Sequence, residues 1–182
     1  MKIHKPDPNY ESPRSNSYPY ILEVKDGGDQ TWKPIIHVRI YKGTSIISKL
    51  IQFQSDGPYS HSAIVFGDTV YEAKEFKGVQ KHPITDDVGS VYDDFAVDMT
   101  VEQVDILMKF LEAQMGKKYS YGMIARFITR KQVDRKASQT WFCSELVFAA
   151  LQKAGVELFA RTEPWFVSPN LLVRSTLLKT HE

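Results

Sequence analysis

The chain has 182 residues, 42% of them hydrophobic and 25% charged, which suits one globular domain with a core of its own. Its 23 basic and 22 acidic residues leave a net charge of +1, which excludes nucleic acid or an anionic membrane as a partner held mainly by charge. A single cysteine, Cys143, excludes an internal disulfide, and the longest apolar run, LVFAAL at 146–151, falls far short of the roughly 20 residues of a membrane helix.

Residues 1–34 carry five of the nine prolines and no clear hydrophobic period outside YPYILEV at 18–24. They read as an extended arm preceding a domain at 35–182. The opening MKIHKPDPNYESPRS contains no apolar core of a secretory signal, so a cytoplasmic location is expected. Strict alternation in IIHVRIY predicts a strand over 35–41. SIISKLIQF then puts Ile46, Ile47, Leu50 and Ile51 on one helical stripe, with Gly57 and Pro58 as the stop.

SHSAIVF and TVYEAKEF read as two strands joined at Gly67-Asp68, where glycine in the first central position suits a type II′ turn. Pairing Phe66 with Thr69 sets Ala63 opposite Glu72. His61, Ala63, Val65, Val70, Glu72 and Lys74 then share one face. His61 and Glu72 become diagonal neighbours across the small Ala63, roughly 7–8 Å apart at the backbone. A carboxylate there fixes which ring nitrogen of an imidazole carries the proton. A three-residue loop would turn Glu72 to the other face.

A third strand is expected at GVQKHPI, 78–84, and another within DDVGSVYDDFAVDM, 86–99. Thr100 and Gln103 form a capping box, opening a helix whose buried stripe is Val104, Leu107, Met108, Leu111 and Met115, ending at Gly116. YSYGMIARFI, 119–128, reads as a shorter helix. RKQVDRKAS, 130–138, is a charged loop read as solvated, with a lid or an anionic-substrate contact as the alternative. The helix holding Cys143 runs to Ala154 and stops at Gly155, with Thr140 or Ser138 as N-cap; Thr140 makes Cys143 the third helical residue. Either start sets the sulfur near free backbone N–H groups and the positive end of the helix dipole, a setting that suits attack on a carbonyl carbon. The tail WFVSPNLLVRSTLL gives a turn and then a short helix after Pro169.

The segments IYKGTSIISKLIQFQSDGPYSHSAIVFGDTVYEAKEFKGV, GKKYSYGMI, WFCSELVFAAL and VSPNLL, in that order, resemble the circularly permuted papain-like hydrolases of the NlpC-type superfamily, in the YiiX-like branch. The resemblance spans roughly residues 35–178. It implies an α+β fold, an antiparallel sheet packed against helices with the nucleophile at a helix N-terminus. It also implies a Cys-His-Glu triad: Cys143 as nucleophile, His61 as general base and then acid, Glu72 as the orienting residue. Tyr119, Ser144 and Trp141 complete the candidate set as substrate-binding or oxyanion-side residues. The implied activity is cleavage of an amide bond in small or cell-wall-derived peptides through an acyl-enzyme. The alternatives are a lipid or acyl-group enzyme of the lecithin–retinol acyltransferase type, with Trp141, Trp165 and Phe166 around the acyl group, and a binding protein without catalysis. No cofactor, metal, nucleic acid or membrane insertion is expected. His4, His37, His61, His82 and His181 are scattered without ligand spacing.

Overall fold

The computed structural model describes residues 20–24, 30–122 and 140–180. Strands β1 (Tyr20–Val24), β2 (Gln30–Tyr41), β3 (His61–Phe66), β4 (Thr69–Lys74), β5 (Gly78–Pro83), β6 (Tyr92–Asp98) and β9 (Lys179–Thr180) form one seven-stranded sheet. Its order is β5-β4-β3-β2-β6-β9, with β1 paired to β2, and every pairing is antiparallel. A separate two-residue parallel pair joins β7 (Lys118–Tyr119) to β8 (Thr140–Trp141). The helices are α1 (Ile46–Gln54), α2 (Val101–Gln114), α3 (Cys143–Lys153) and α4 (Pro169–Leu172). Antiparallel strands with helices against them give the α+β architecture.

The strand expected at 35–41 begins earlier, at Gln30, and β1 pairs with it from Tyr20↔Pro34 to Val24↔Gln30. Part of the stretch read as an arm is therefore strand. Pro34 sits just before the β6 pairing begins at Ile35, so its missing N–H costs that ladder nothing. Residues 1–19 and 25–29 of the expected arm lie outside the described residues, as does the charged segment 130–138. Tyr121 and Gly122 are helical, and the remainder of the helix expected at 119–128 also falls outside.

The alternation in β2 sorts its two faces. Ile36, Val38 and Ile40 are fully buried and join Ile64, Tyr71, Ala73 and Val79 under α2 and α3. Arg39 and Tyr41 point to the opposite face with Ala63, Val65 and Val70. Helix α2 has the expected capping box, with Thr100 Oγ1 accepting from Gln103 N–H and Gln103 Oε1 from Thr100 N–H. Its stripe of Val104, Leu107, Met108 and Leu111 is buried. Helix α3 is buried all round: every residue from Cys143 to Leu151 lies inside, so it is a core helix rather than an amphipathic one. Each of its large apolar side chains contributes about 1.5–3 kcal/mol by leaving water.

The loop that delivers β3 is held from the far end of the chain. Buried Asn170, at the start of α4, donates from Nδ2 to Ser55 Oγ (2.6 Å) and to the Tyr59 carbonyl (2.8 Å). Its Oδ1 accepts from Tyr59 N–H at 2.9 Å. A Cβ on Gly57 would come within 2.2 Å of that same oxygen, so only glycine fits beneath it. Asn170→Ala leaves the Tyr59 amide and carbonyl without their partner and is expected to cost about 2–4 kcal/mol. Denaturant unfolding measures this; a variant as stable as the parent would contradict the role given to Asn170.

Candidate functional site

The β3–β4 turn sets the site. Gly67 has φ +57, the positive value is confined to it within the turn, and Phe66 pairs with Thr69. Ala63 is then opposite Glu72, the register expected from the sequence. His61 Nε2 and Glu72 Oε2 meet at 2.6 Å across that alanine. Glu72 is 1% exposed, and its second oxygen accepts from Gln80 Nε2 at 2.7 Å. Lys74 Nζ stands 3.3 Å from the same oxygen. His82 Nε2 is also 3.3 Å away but lacks the alignment of a hydrogen bond, so it acts on Glu72 only as a charge, and only when protonated.

His61 lies between Glu72 and Cys143. Burial works against its charged form, but the charge and hydrogen bond of Cys143, followed by those of Glu72, outweigh it and push the imidazole from 6.5 to about 10. Glu72 shows the converse. Burial alone would raise its carboxyl, yet the hydrogen bond and charge of His61, with Gln80 and Lys74 behind, hold it far below the usual carboxylate range. With Nε2 committed to Glu72, Nδ1 is the ring nitrogen left for the sulfur. The His61 ring also lies 5.3 Å from the ring of Tyr41, whose hydroxyl donates to Asp87.

Cys143 is the first residue of α3, and the N-cap is Phe142 rather than Thr140 or Ser138. Thr140 and Trp141 are held extended by pairing with Lys118 and Tyr119, which postpones the helix by two residues. Phe142 has no side-chain acceptor, so no cap occupies the first-turn amides as a serine or threonine would. Glu145 Oε2 instead accepts from Phe142 N–H at 3.3 Å. Cys143 itself is fully buried, while the His61 side chain keeps 21% exposure.

The remaining candidates divide. Tyr119 is buried, its ring is 5.8 Å from that of Phe142, and Cys143 is among the causes that raise its hydroxyl, after burial itself. Ser144 is fully buried and its hydroxyl donates to the Val167 carbonyl at 2.6 Å, leaving its backbone N–H as the group at the helix tip. Trp141 engages α2, with Nε1 donating to Gln114 and the indole edge-on to Phe110. Gln80 and Tyr41 contact Glu72 and His61 and were not singled out from the sequence. Gln80 pairs opposite Glu72 across a hairpin whose loop holds Phe76 at φ +63, a conformation that a phenylalanine does not announce. Among the described residues, no group of three or more His, Cys, Asp or Glu side chains is arranged to hold a metal ion.

No family model matches the chain, and no curated protein matches it. Among solved structures, the crystal structure of the metalloprotein YiiX from Escherichia coli O157:H7, DUF1105, is similar at a TM-score of 0.62 and 19% identity. The match covers 80% of this chain and 94% of that one, and it shows a shared fold.

Because Cys143 and Glu72 both raise the imidazole, Glu72→Gln should lower the His61 pKa. The charge and hydrogen bond of Cys143 still raise it in that variant, against burial, which lowers it. Ring nitrogen NMR titration reads the shift. An unmoved His61 would contradict the coupling. The chain has a YiiX-like α+β fold.

Proposed function

We propose that this chain is a thiol hydrolase of the circularly permuted papain-like kind, acting on an amide bond through Cys143, His61 and Glu72. One observation carries the reading: a single imidazole is shared between a buried carboxylate, 2.6 Å from Nε2, and the only sulfur nucleophile of the chain. A structural histidine needs one partner of this kind. An imidazole that must accept and return a proton needs both.

In the proposed cycle, Cys143 Sγ attacks the substrate carbonyl carbon, forming an S–C bond and an oxyanion. The uncapped amides of Cys143 and Ser144 are suited to receive that oxygen, an effect commonly worth roughly 3 kcal/mol per donor. Imidazolium Nδ1–H of His61 protonates the departing amine as the C–N bond breaks. Water then adds to the thioester while His61 takes its proton, and the tetrahedral intermediate breaks its C–S bond, freeing the acid and restoring the thiolate beside imidazolium His61. Glu72 holds the ring in one orientation and stabilises its charged form throughout. Since the sulfur is buried and the imidazole is partly exposed, substrate approaches past His61, and the wall around Cys143 must yield.

The substrate class follows the resemblance: small peptides, cell-wall-derived ones among them. Among the described residues no three-donor set is arranged for a metal of the kind named for YiiX, and His61 and Glu72 are committed to each other. No helix among the described residues is long and apolar enough to cross a membrane. Cys143→Ala should lower turnover of a cleaved muropeptide by at least about 10³-fold with an unchanged circular dichroism spectrum. Ester and thioester probes in the same panel report the acyl-enzyme alternative. Undiminished hydrolysis by Cys143→Ala would end the proposal.

A further inference from the structure

A second feature lies on the His61 face of the sheet, one strand beyond Tyr41. An open cavity of about 360 Å³ is lined by the segment from Asp87 to Tyr92 together with Ile84. Tyr41 pairs with His61 on one side and with Tyr92 on the other, which separates Tyr92 from His61 by two strand spacings, about 10 Å. The cavity is thus a neighbour of the candidate site and does not lie over Cys143.

Its charge is unbalanced. Arg39, 2% exposed, is the guanidinium shared by two carboxylates. Asp94 takes a two-pronged contact, from Nε at 2.8 Å and Nη2 at 2.7 Å, and so is matched by the fork. Asp87, 6% exposed, receives Nη1 at 2.8 Å and the Tyr41 hydroxyl at 2.7 Å, both on Oδ2. Among the described residues no hydrogen bond reaches Asp87 Oδ1, and that atom is not among the buried polar atoms left without a partner. It therefore retains access to solvent, and Asp87 is a wall of the cavity. The Arg39 group thus carries one excess negative charge, and its Asp87 borders a space whose other walls are Ile84, Val88, Gly89, Ser90, Val91 and Tyr92.

We propose that this cavity binds a primary ammonium group carried on an aliphatic stem. The Asp87 carboxylate selects the cation, and the side chains of Ile84, Val91 and Tyr92 flank the stem. A guanidinium is the poorer match, because its paired N–H groups require two free oxygens and Oδ2 is already used twice. As a substrate subsite the cavity would favour peptides with a free amine two or three residues from the scissile bond, given roughly 3.3 Å per extended residue; this role rests on the hydrolase reading, whereas the binding does not.

The test uses the full chain, labelled with nitrogen-15, and follows the Gly89 and Ser90 amides. n-Butylammonium is expected to shift them saturably and at least about tenfold more tightly than n-butanol. Val88 is 88% exposed on the rim, so Val88→Lys leaves the fold intact and supplies a tethered ammonium that competes. That variant should bind n-butylammonium at least about tenfold more weakly with an unchanged unfolding midpoint. Shifts that do not saturate, equal affinity for the alcohol, or full binding by Val88→Lys would each overturn the proposal. The subsite role is read from hydrolysis of a peptide with a free amine against its N-acetylated twin. Equal kcat/KM for the two discards that role and leaves the hydrolase standing; cleavage of neither, with binding intact, discards the hydrolase reading and leaves the ammonium site standing.

Discussion

A carboxylate with 1% exposure is the constraint on which the site depends. An ionised group taken out of water without partners costs far more than a domain has to spare, so Glu72 is tolerable only while its oxygens are engaged. His61 satisfies one oxygen; Gln80 and Lys74 satisfy the other. The dependence is mutual, since the imidazole keeps its proton and its orientation through the same contact. Both residues reach it because the β3–β4 turn is two residues long. One residue more would send Glu72 to the other face of the sheet, away from His61.

The rest of the fold sets where Cys143, which raises the imidazole of that pair, is held. Helix α3 is enclosed on every side, which fixes its position against β3 and β4 more firmly than a surface helix would allow. Its start is set by the β7–β8 pairing, so the chain stays extended through Trp141 and turns helical at Cys143. Asn170, more than a hundred residues downstream of the loop it grips, locks the approach to β3. The same face of the sheet carries a second polar group around Arg39, linked to His61 through the Tyr41 ring. The site is therefore one end of a longer polar stripe along the sheet and not an isolated cluster.

The hairpin register and the α2 capping box were legible because each is a local device: a glycine at a two-residue turn, and a threonine three residues ahead of a glutamine. What stayed hidden depends on distant partners. Thr140 has the chemistry of an N-cap, but β7 holds it extended, an outcome no window around residue 140 contains. The proline count of the first 34 residues suggests an arm, yet Pro34 lies within β2, opposite Tyr20 and just before the pairing with β6 begins. Ser144 looked available beside Cys143, and the Val167 carbonyl, contributed from the far side of α3, takes its hydroxyl. Trp141 turns to Gln114 for the same reason: a partly buried indole N–H finds whichever acceptor tertiary packing offers. The order of His61, Glu72 and Cys143 in the chain was readable; the involvement of Gln80 and Tyr41 required the sheet.

The convergence of sulfur, imidazole and carboxylate has its most direct test in the covalent intermediate. Intact-protein mass spectrometry after rapid acid quench, with p-nitrophenyl acetate as acyl donor, should show one acetyl group, mapped by peptide sequencing to Cys143. His61→Ala should accumulate it far more slowly, and Glu72→Gln should lie between. An acetyl group found elsewhere, or formed on Cys143 at the same rate without His61, would contradict the account.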